Sequence, residues 1–263
     1  MPKTKVNNIQ LYYELHGKGV PLLLIAGLGC DSQSWYPIIS ELSEHFQTIT
    51  FDNRGAGRSD IPELPYSIRD MADDTLKLLD YLNVRATNII GCSMGGYIAQ
   101  EFAIRYPERV SKLILGSTAP LSSTRNNLLF ENLLKWRLDR MDLESWMWAW
   151  SFWLFTPQRF EDRSFIDAYI KDALEYPYPQ SINAFKGQIE AISTHNTRGR
   201  LKKIQAETLV IEGKEDILIL PGETEALTKR IPKCSSLVVE DAAHSVYMEK
   251  PKAFIRAVLD FLS

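Results

Sequence analysis

The chain has 263 residues, of which 45% are hydrophobic and 24% charged, with a formal net charge of −3. That length and apolar share suit one large soluble domain, or a domain carrying an insertion, able to bury its own core. The slightly acidic balance, with no run of like charges, argues against nucleic acid as a partner, which calls for a basic face.

The first half alternates short extended runs with helical patterns. Residues 10–14 (QLYYE) read as a strand and lead into a turn at His16-Gly17-Lys18-Gly19. Residues 21–26 (PLLLIA) form a continuous apolar run, the mark of a strand covered on both faces. A helix is predicted over 34–45, with Trp35, Ile38, Ile39 and Leu42 on one side, then a strand over 46–51. Over 67–82, Ile68, Met71, Thr75, Leu78, Leu79 and Leu82 recur near 3.6 spacing and predict a strong helix. A strand at 87–90, a helix at 95–106 stopped by Pro107 and a strand at 110–115 follow.

After Pro120 the alternation ceases. Residues 121–198 contain every tryptophan except Trp35, and three helices are predicted there, over 128–138, 143–155 and 163–176. The alternation returns with a strand at 207–212, a helix at 223–230, a strand at 236–240 and a closing helix at 251–262. The expected organisation is a core of residues 1–120 and 199–263 interrupted by a helical subdomain at 121–198. Strands alternating with helices imply a mostly parallel sheet covered on both faces, with sites beyond the strands' carboxyl ends.

The cysteines Cys30, Cys92 and Cys234 are odd in number and lack zinc-ligand spacing, which fits free thiols in a reducing compartment. Residues 1–15 show no apolar segment with a cleavage site, and no apolar run approaches the roughly 20 residues of a bilayer span. The expectation is a cytoplasmic protein with no signal peptide and no membrane span.

One strand end stands out. Gly91-Cys92-Ser93-Met94-Gly95 joins a strand to a helix and fits G-x-S-x-G, in which the serine occupies a sharp, strained turn above the sheet. Alone the pattern is also an ordinary glycine-rich turn. A serine attacks a carbonyl only when a base takes its proton, and the base is held by a carboxylate. Of the four histidines, His16 and His45 precede the motif, and His195 reads as a solvated loop residue that could border a pocket. His244 directly follows the strand at 236–240. The acid should also follow a strand, and Asp216, after 207–212, is the candidate. Glu215 is its rival, while Glu212 and Asp241 are less well placed. The chain order Ser93, Asp216, His244 is that of α/β-hydrolases.

The sequence resembles the α/β-hydrolase superfamily over nearly its whole length outside the insertion. The motifs are Gly27-Leu28-Gly29, the Asp52-to-Ser59 run DNRGAGRS, the serine turn, Gly213 to Asp216, and residues 241–245 around His244. The resemblance implies the α/β-hydrolase fold: a mostly parallel central sheet, helices on both faces and an inserted helical cap over 121–198. It implies an oxyanion hole from the backbone N–H groups of Leu28 and Met94. Where the family often has His-Gly, this chain has Ala26-Gly27, which changes how that loop is braced but not its backbone donor. Arg54 is expected to tie neighbouring loops rather than clamp a substrate carboxylate. Cys30 is expected as a buried apolar-like thiol that could also line the pocket. The cap's aromatic residues imply an apolar chamber over Ser93, with Trp146, Trp150 and Trp153 on one face and Trp148 and Phe152 on another.

The function implied is a serine hydrolase acting on a small, mostly apolar carboxylic ester or lactone, resembling carboxylesterases and 3-oxoadipate enol-lactonases. No metal or organic cofactor is implied, and a homodimer is left open. Carbon–carbon bond hydrolases share the triad, but here Ser245 rather than tryptophan follows His244. Perhydrolases, and slow-turnover receptors on the same fold, also keep these residues. Dehalogenases and epoxide hydrolases carry aspartate where Ser93 stands.

Overall fold

The structure, a computed structural model, describes residues 2–263. In chain order its strands are β1 (Lys3–Val6), β2 (Ile9–His16), β3 (Pro21–Ile25), β4 (Gln47–Phe51), β5 (Thr87–Cys92), β6 (Val110–Gly116), β7 (Glu207–Gly213) and β8 (Cys234–Val239). Between and after them run α1 (Tyr36–His45), α2 (Ile68–Tyr81), α3 (Met94–Arg105), α4 (Thr124–Leu138), α5 (Leu143–Ser151), α6 (Pro157–Glu161), α7 (Arg163–Glu175), α8 (Ile182–Ser193), α9 (Pro221–Arg230), α10 (Val246–Glu249) and α11 (Pro251–Leu262).

The strands form one sheet in the order β1-β2-β4-β3-β5-β6-β7-β8. The first two pair antiparallel, and β2 pairs antiparallel with β4. All pairs from β4 through β8 are parallel. From β3 the chain passes to β4 on one side, then returns to β5 on the other. This reversal opens a crevice at the carboxyl ends of β3 and β5, where ligands bind in such sheets.

The period of two along each buried strand decides which layer each side chain joins. Leu23 and Ile25 of β3 point to one face with Ile89, Leu113 and Leu115, where α2 and α3 cover them. Leu22 and Leu24 point to the other with Ile90 and Ile114, under α1 and α11. Trp35, Ile38 and Leu42 meet Phe254 and Val258 in that second layer. Each fully buried side chain of this size stabilises by about 1.5–3 kcal/mol. Helix α2 starts with a capping box: Asp70 N–H donates to Ser67 Oγ, and Ser67 N–H to Asp70 Oδ2 at 2.8 Å.

Residues 121–198 carry five helices rather than the three expected. The additional ones are the short α6 and the longer α8. Ser181 caps α8 by accepting from Ala184 N–H at 3.2 Å. Phe130, Leu133, Trp146, Phe185 and Ile189 from this region join the same buried cluster as α2 and α3. Trp146 is buried and its Nε1–H donates to Leu133 O at 2.9 Å, whereas Phe152 is exposed and stacks on Phe160. Two further elements were not expected, the edge strand β1 and the one-turn α10. Among the described residues no helix is long and apolar enough to cross a membrane.

Candidate active site

Strand β5 ends at Cys92, and α3 begins at Met94. Ser93 makes the turn alone, with φ 54° and ψ −121°. A non-glycine residue held there costs on the order of 1–3 kcal/mol and persists only when neighbours over-determine it. Here they do. Ser93 N–H donates to Gly116 O at 2.9 Å, while Ser93 O accepts from Gly96 N–H and from Thr118 Oγ1, each at 2.9 Å. Ser93 makes no side-chain cap bond into α3, so its hydroxyl is not used to cap the helix. The helix N-terminus behind it supplies unbonded N–H groups and the positive end of the dipole.

The loop after β3 lies against this serine. A Cβ added to Gly27 would stand 3.2 Å from Ser93 Cβ and 3.7 Å from its Oγ. Among the hydrogen bonds of the described residues, neither Leu28 N–H nor Met94 N–H has a partner within the chain. Leu28 and Met94 both line the chamber that Ser93 faces.

Asp216 follows β7, and His244 follows β8. Asp216 Oδ2 accepts from His244 Nδ1 at 2.9 Å. Its Oδ1 accepts from Leu218 N–H and Ile219 N–H, each at 2.8 Å. A carboxylate can only accept, so Nδ1 carries a proton, and in the neutral ring the lone pair is then on Nε2. Both residues are buried. The loop bearing His244 is fixed on both sides. Ala243 N–H donates to Glu249 Oε2 at 2.7 Å, and Ser245 N–H donates to Leu154 O at 3.0 Å. Glu249 Oε1 also accepts from Thr156 N–H at 3.0 Å and Oγ1 at 2.8 Å.

The rival acids lie elsewhere. Glu215 is exposed. Glu212 accepts from the Thr224 hydroxyl, and Asp241 pairs with Lys250 at 3.6 Å. Arg54 is committed to Asp74, with Nε and Nη2 donating at 2.7 and 2.8 Å. His16 contacts Glu14, and His45 is exposed at the end of α1.

His195 differs from its expected solvated setting. It is 8% exposed, stacked on Tyr97 at 4.8 Å, and its Nε2 is buried without a partner. Burial lowers its pKa to about 4, against about 6.5 in an unfolded chain. Since the folded value is the lower one, the unfolded chain binds the extra proton between these limits. The contribution of His195 to stability is therefore complete above about pH 6.5 and is lost as pH drops toward 4. His195→Phe should flatten part of that fall in Tm over pH 6.5 to 4. An unchanged slope would assign the acid sensitivity to other groups.

Ser93, His244, Leu28 and Met94 line one chamber of about 150 Å³. Apolar walls come from Phe130, Trp150 and Leu154 of residues 121–198 together with Leu218 and Met248. Cys30 also lines it, and burial pushes its thiol up to about 12. Burial likewise raises Cys92, Tyr169 and Tyr247 above their ordinary values. No lysine, arginine, aspartate or glutamate is among the lining residues described. Nor, among the described residues, do three His, Cys, Asp or Glu side chains gather as a metal site would require.

Sequence reasoning passed over the residues that brace these loops, Gln188 and Glu249. Gln188 carried a signal: it falls on the apolar stripe of Phe185, Ile189 and Ile192, and a polar residue there is buried and must find partners.

A mostly parallel sheet with its switch at β3 and β5, a serine on a strained turn at that switch, and a histidine–aspartate pair beyond the ends of β7 and β8 together define the α/β-hydrolase class. The chain belongs to the α/β-hydrolase family. A family model for the alpha/beta hydrolase fold matches residues 20–147. A protein of Azorhizobium caulinodans named as the carbamate hydrolase RutD is 30% identical, with 99% of this chain and 98% of the relative covered. The crystal structure of an enol-lactonase from Burkholderia xenovorans LB400 superposes with a TM-score of 0.87 at 27% identity, covering 99% of both chains. A thermophilic esterase from Thermogutta terrifontis gives a TM-score of 0.88 at 26% identity, covering 100% of this chain and 98% of that one.

Proposed function

We propose that the protein is a serine hydrolase of small, uncharged carboxylic esters or lactones, with residues 121–198 as the cap that roofs its chamber. The reading rests on Ser93 and the His244–Asp216 pair meeting at one uncharged chamber. Ser93 Oγ attacks the carbonyl carbon while His244 Nε2 takes its proton. Such serine–histidine contacts tighten when substrate arrives. Leu28 N–H and Met94 N–H donate to the carbonyl oxygen as it becomes an oxyanion. Asp216 holds the imidazole in the useful tautomer and stabilises its charged form. His244 then delivers the proton to the leaving alkoxide, the acyl group remains on Ser93, and a water deprotonated by His244 releases the acid. None of these steps calls for a metal or organic cofactor.

The chamber also supports a substrate class. A charged substrate would lose its hydration without meeting a counter-ion, at a cost of several kcal/mol. A volume near 150 Å³ is about that of a dry cavity that holds one benzene ring, which favours short acyl groups. The relative named as a carbamate hydrolase makes uncharged carbamates a fitting addition to the assay, since they pass through the same tetrahedral oxyanion.

The test is steady-state hydrolysis of p-nitrophenyl esters from acetate to decanoate, with a succinate half-ester as the charged comparison. The expected result is an optimum at short neutral chains and poor turnover of the half-ester. Equal activity on the half-ester would overturn the neutral-substrate reading. Absence of ester turnover by the folded protein would overturn the esterase reading itself.

A further inference from the structure

We infer that Gln188, from helix α8 of the inserted region, is a positioning residue for the oxyanion loop. The inference rests on the hydrolase reading above, because it concerns the donor at Leu28.

The loop after β3 is a tight turn. Cys30 N–H donates to Gly27 O at 3.2 Å, and Gly29, the third residue of the turn, has φ +72°. These features mark a type II turn, whose central peptide joins Leu28 to Gly29. That peptide can rotate by about 180° to give the type I form, which turns over Leu28 C=O and Gly29 N–H and shifts the backbone that carries Leu28 N–H. Something must therefore hold it. Gly29 N–H, part of this very peptide, donates to Gln188 Oε1 at 3.0 Å.

Gln188 is itself anchored. Its Nε2 donates to Arg54 O at 3.1 Å, and its Oε1 accepts a second bond from Gln180 Nε2 at 2.9 Å. Gln180 Nε2 also donates to Gly55 O at 2.7 Å. The side chain of Gln188 is fully buried. Its amide has one workable orientation, because Gly29 N–H can only donate and Arg54 C=O can only accept. A flipped amide would set donor against donor at Gly29. Asn53 Nδ2 also donates to Ala26 O at 3.2 Å. The turn is thus held between the loop at 53–55 and the inserted region, through a residue that does not line the chamber.

A residue in this role acts on the oxyanion more than on the bound substrate, so its loss should separate kcat from KM. The experiment compares wild type, Ser93→Ala and Gln188→Met on p-nitrophenyl butyrate, after thermal unfolding has shown that each is folded. For Gln188→Met, kcat should fall about 10- to 100-fold with KM within about twofold, less than the 10²–10³ of losing a donor outright. A second readout is an alkyl trifluoromethyl ketone. Ser93 Oγ adds to its carbonyl carbon, the serine proton passes to His244, and the carbonyl oxygen becomes an oxyanion before the same donors. Its inhibition constant should rise by the factor by which kcat/KM falls. A merely structural defect would not tie those two factors together. If Gln188→Met does not fold, Gln188→Asn, too short to span Gly29 and Arg54, carries the same expectation. Unchanged kcat in a folded variant, beside Ser93-dependent wild-type turnover, overturns the role of Gln188 alone. Wild-type hydrolysis that survives Ser93→Ala, or no hydrolysis at all, overturns the reaction and this role with it.

Discussion

Ser93→Ala should lower kcat for ester hydrolysis by about 10⁶-fold, the scale seen when a triad serine is removed from a serine protease. The folded state should be little affected. The serine hydroxyl does not cap α3, and the bonds that hold the turn run through backbone atoms, Ser93 N–H to Gly116 and Ser93 O from Gly96 and Thr118. The melting temperature should therefore move by no more than an exposed substitution moves it, within about 0.5 kcal/mol of stability. Labelling by a fluorophosphonate should disappear in the same variant. Turnover or labelling that survives would remove Ser93 from the reaction.

Asp216→Asn should lower kcat by about 10⁴-fold, by the protease precedent for a triad carboxylate. The physical reason lies in the two oxygens. Oδ1 accepts from Leu218 and Ile219 N–H, so an asparagine would keep its oxygen there and turn its NH₂ toward His244 Nδ1. A donor at that place forces Nδ1 to accept and moves the ring proton to Nε2. The base would then face Ser93 with no lone pair to offer. Glu215→Gln, one residue away but exposed, should stay near wild type. If Glu215→Gln were the crippling change and Asp216→Asn the mild one, the assignment of the acid would be reversed.

Much of the core was legible because its signals are local. The apolar run at 21–26 became β3, the spaced apolar residues at 67–82 became α2, and no boundary of either moved by more than one residue. The places of Ser93, Asp216 and His244 at strand ends were legible for a related reason. Each sits where a strand gives way to a loop, and the sheet's topology gathers strand ends on one edge. The missed elements had weak local signals. Strand β1 is four residues long, and only Thr4 and Val6 of it are buried. Helix α8 follows a proline-broken stretch, and its apolar stripe is interrupted by Gly187 and Gln188. His195 was misplaced because burial of a post-helix loop depends on what folds over it, here Tyr97 from α3. Gln188 meets partners 159 and 134 positions away, a pairing that no local pattern encodes.

The uncharged lining of the chamber has a further consequence, for the end of the catalytic cycle rather than its start. In the proposed reaction a neutral ester enters and a carboxylic acid forms, ionised at neutral pH. Beyond the Leu28 and Met94 N–H groups the carboxylate finds no lysine or arginine among the described walls, while bulk water can solvate it fully. The environment that admits the reactant therefore expels the product, and the gain in hydration of the anion drives its departure. Turnover then clears its own site. Accumulated acid should compete poorly with incoming ester, and its competition should strengthen only at pH values low enough to make the acid neutral again.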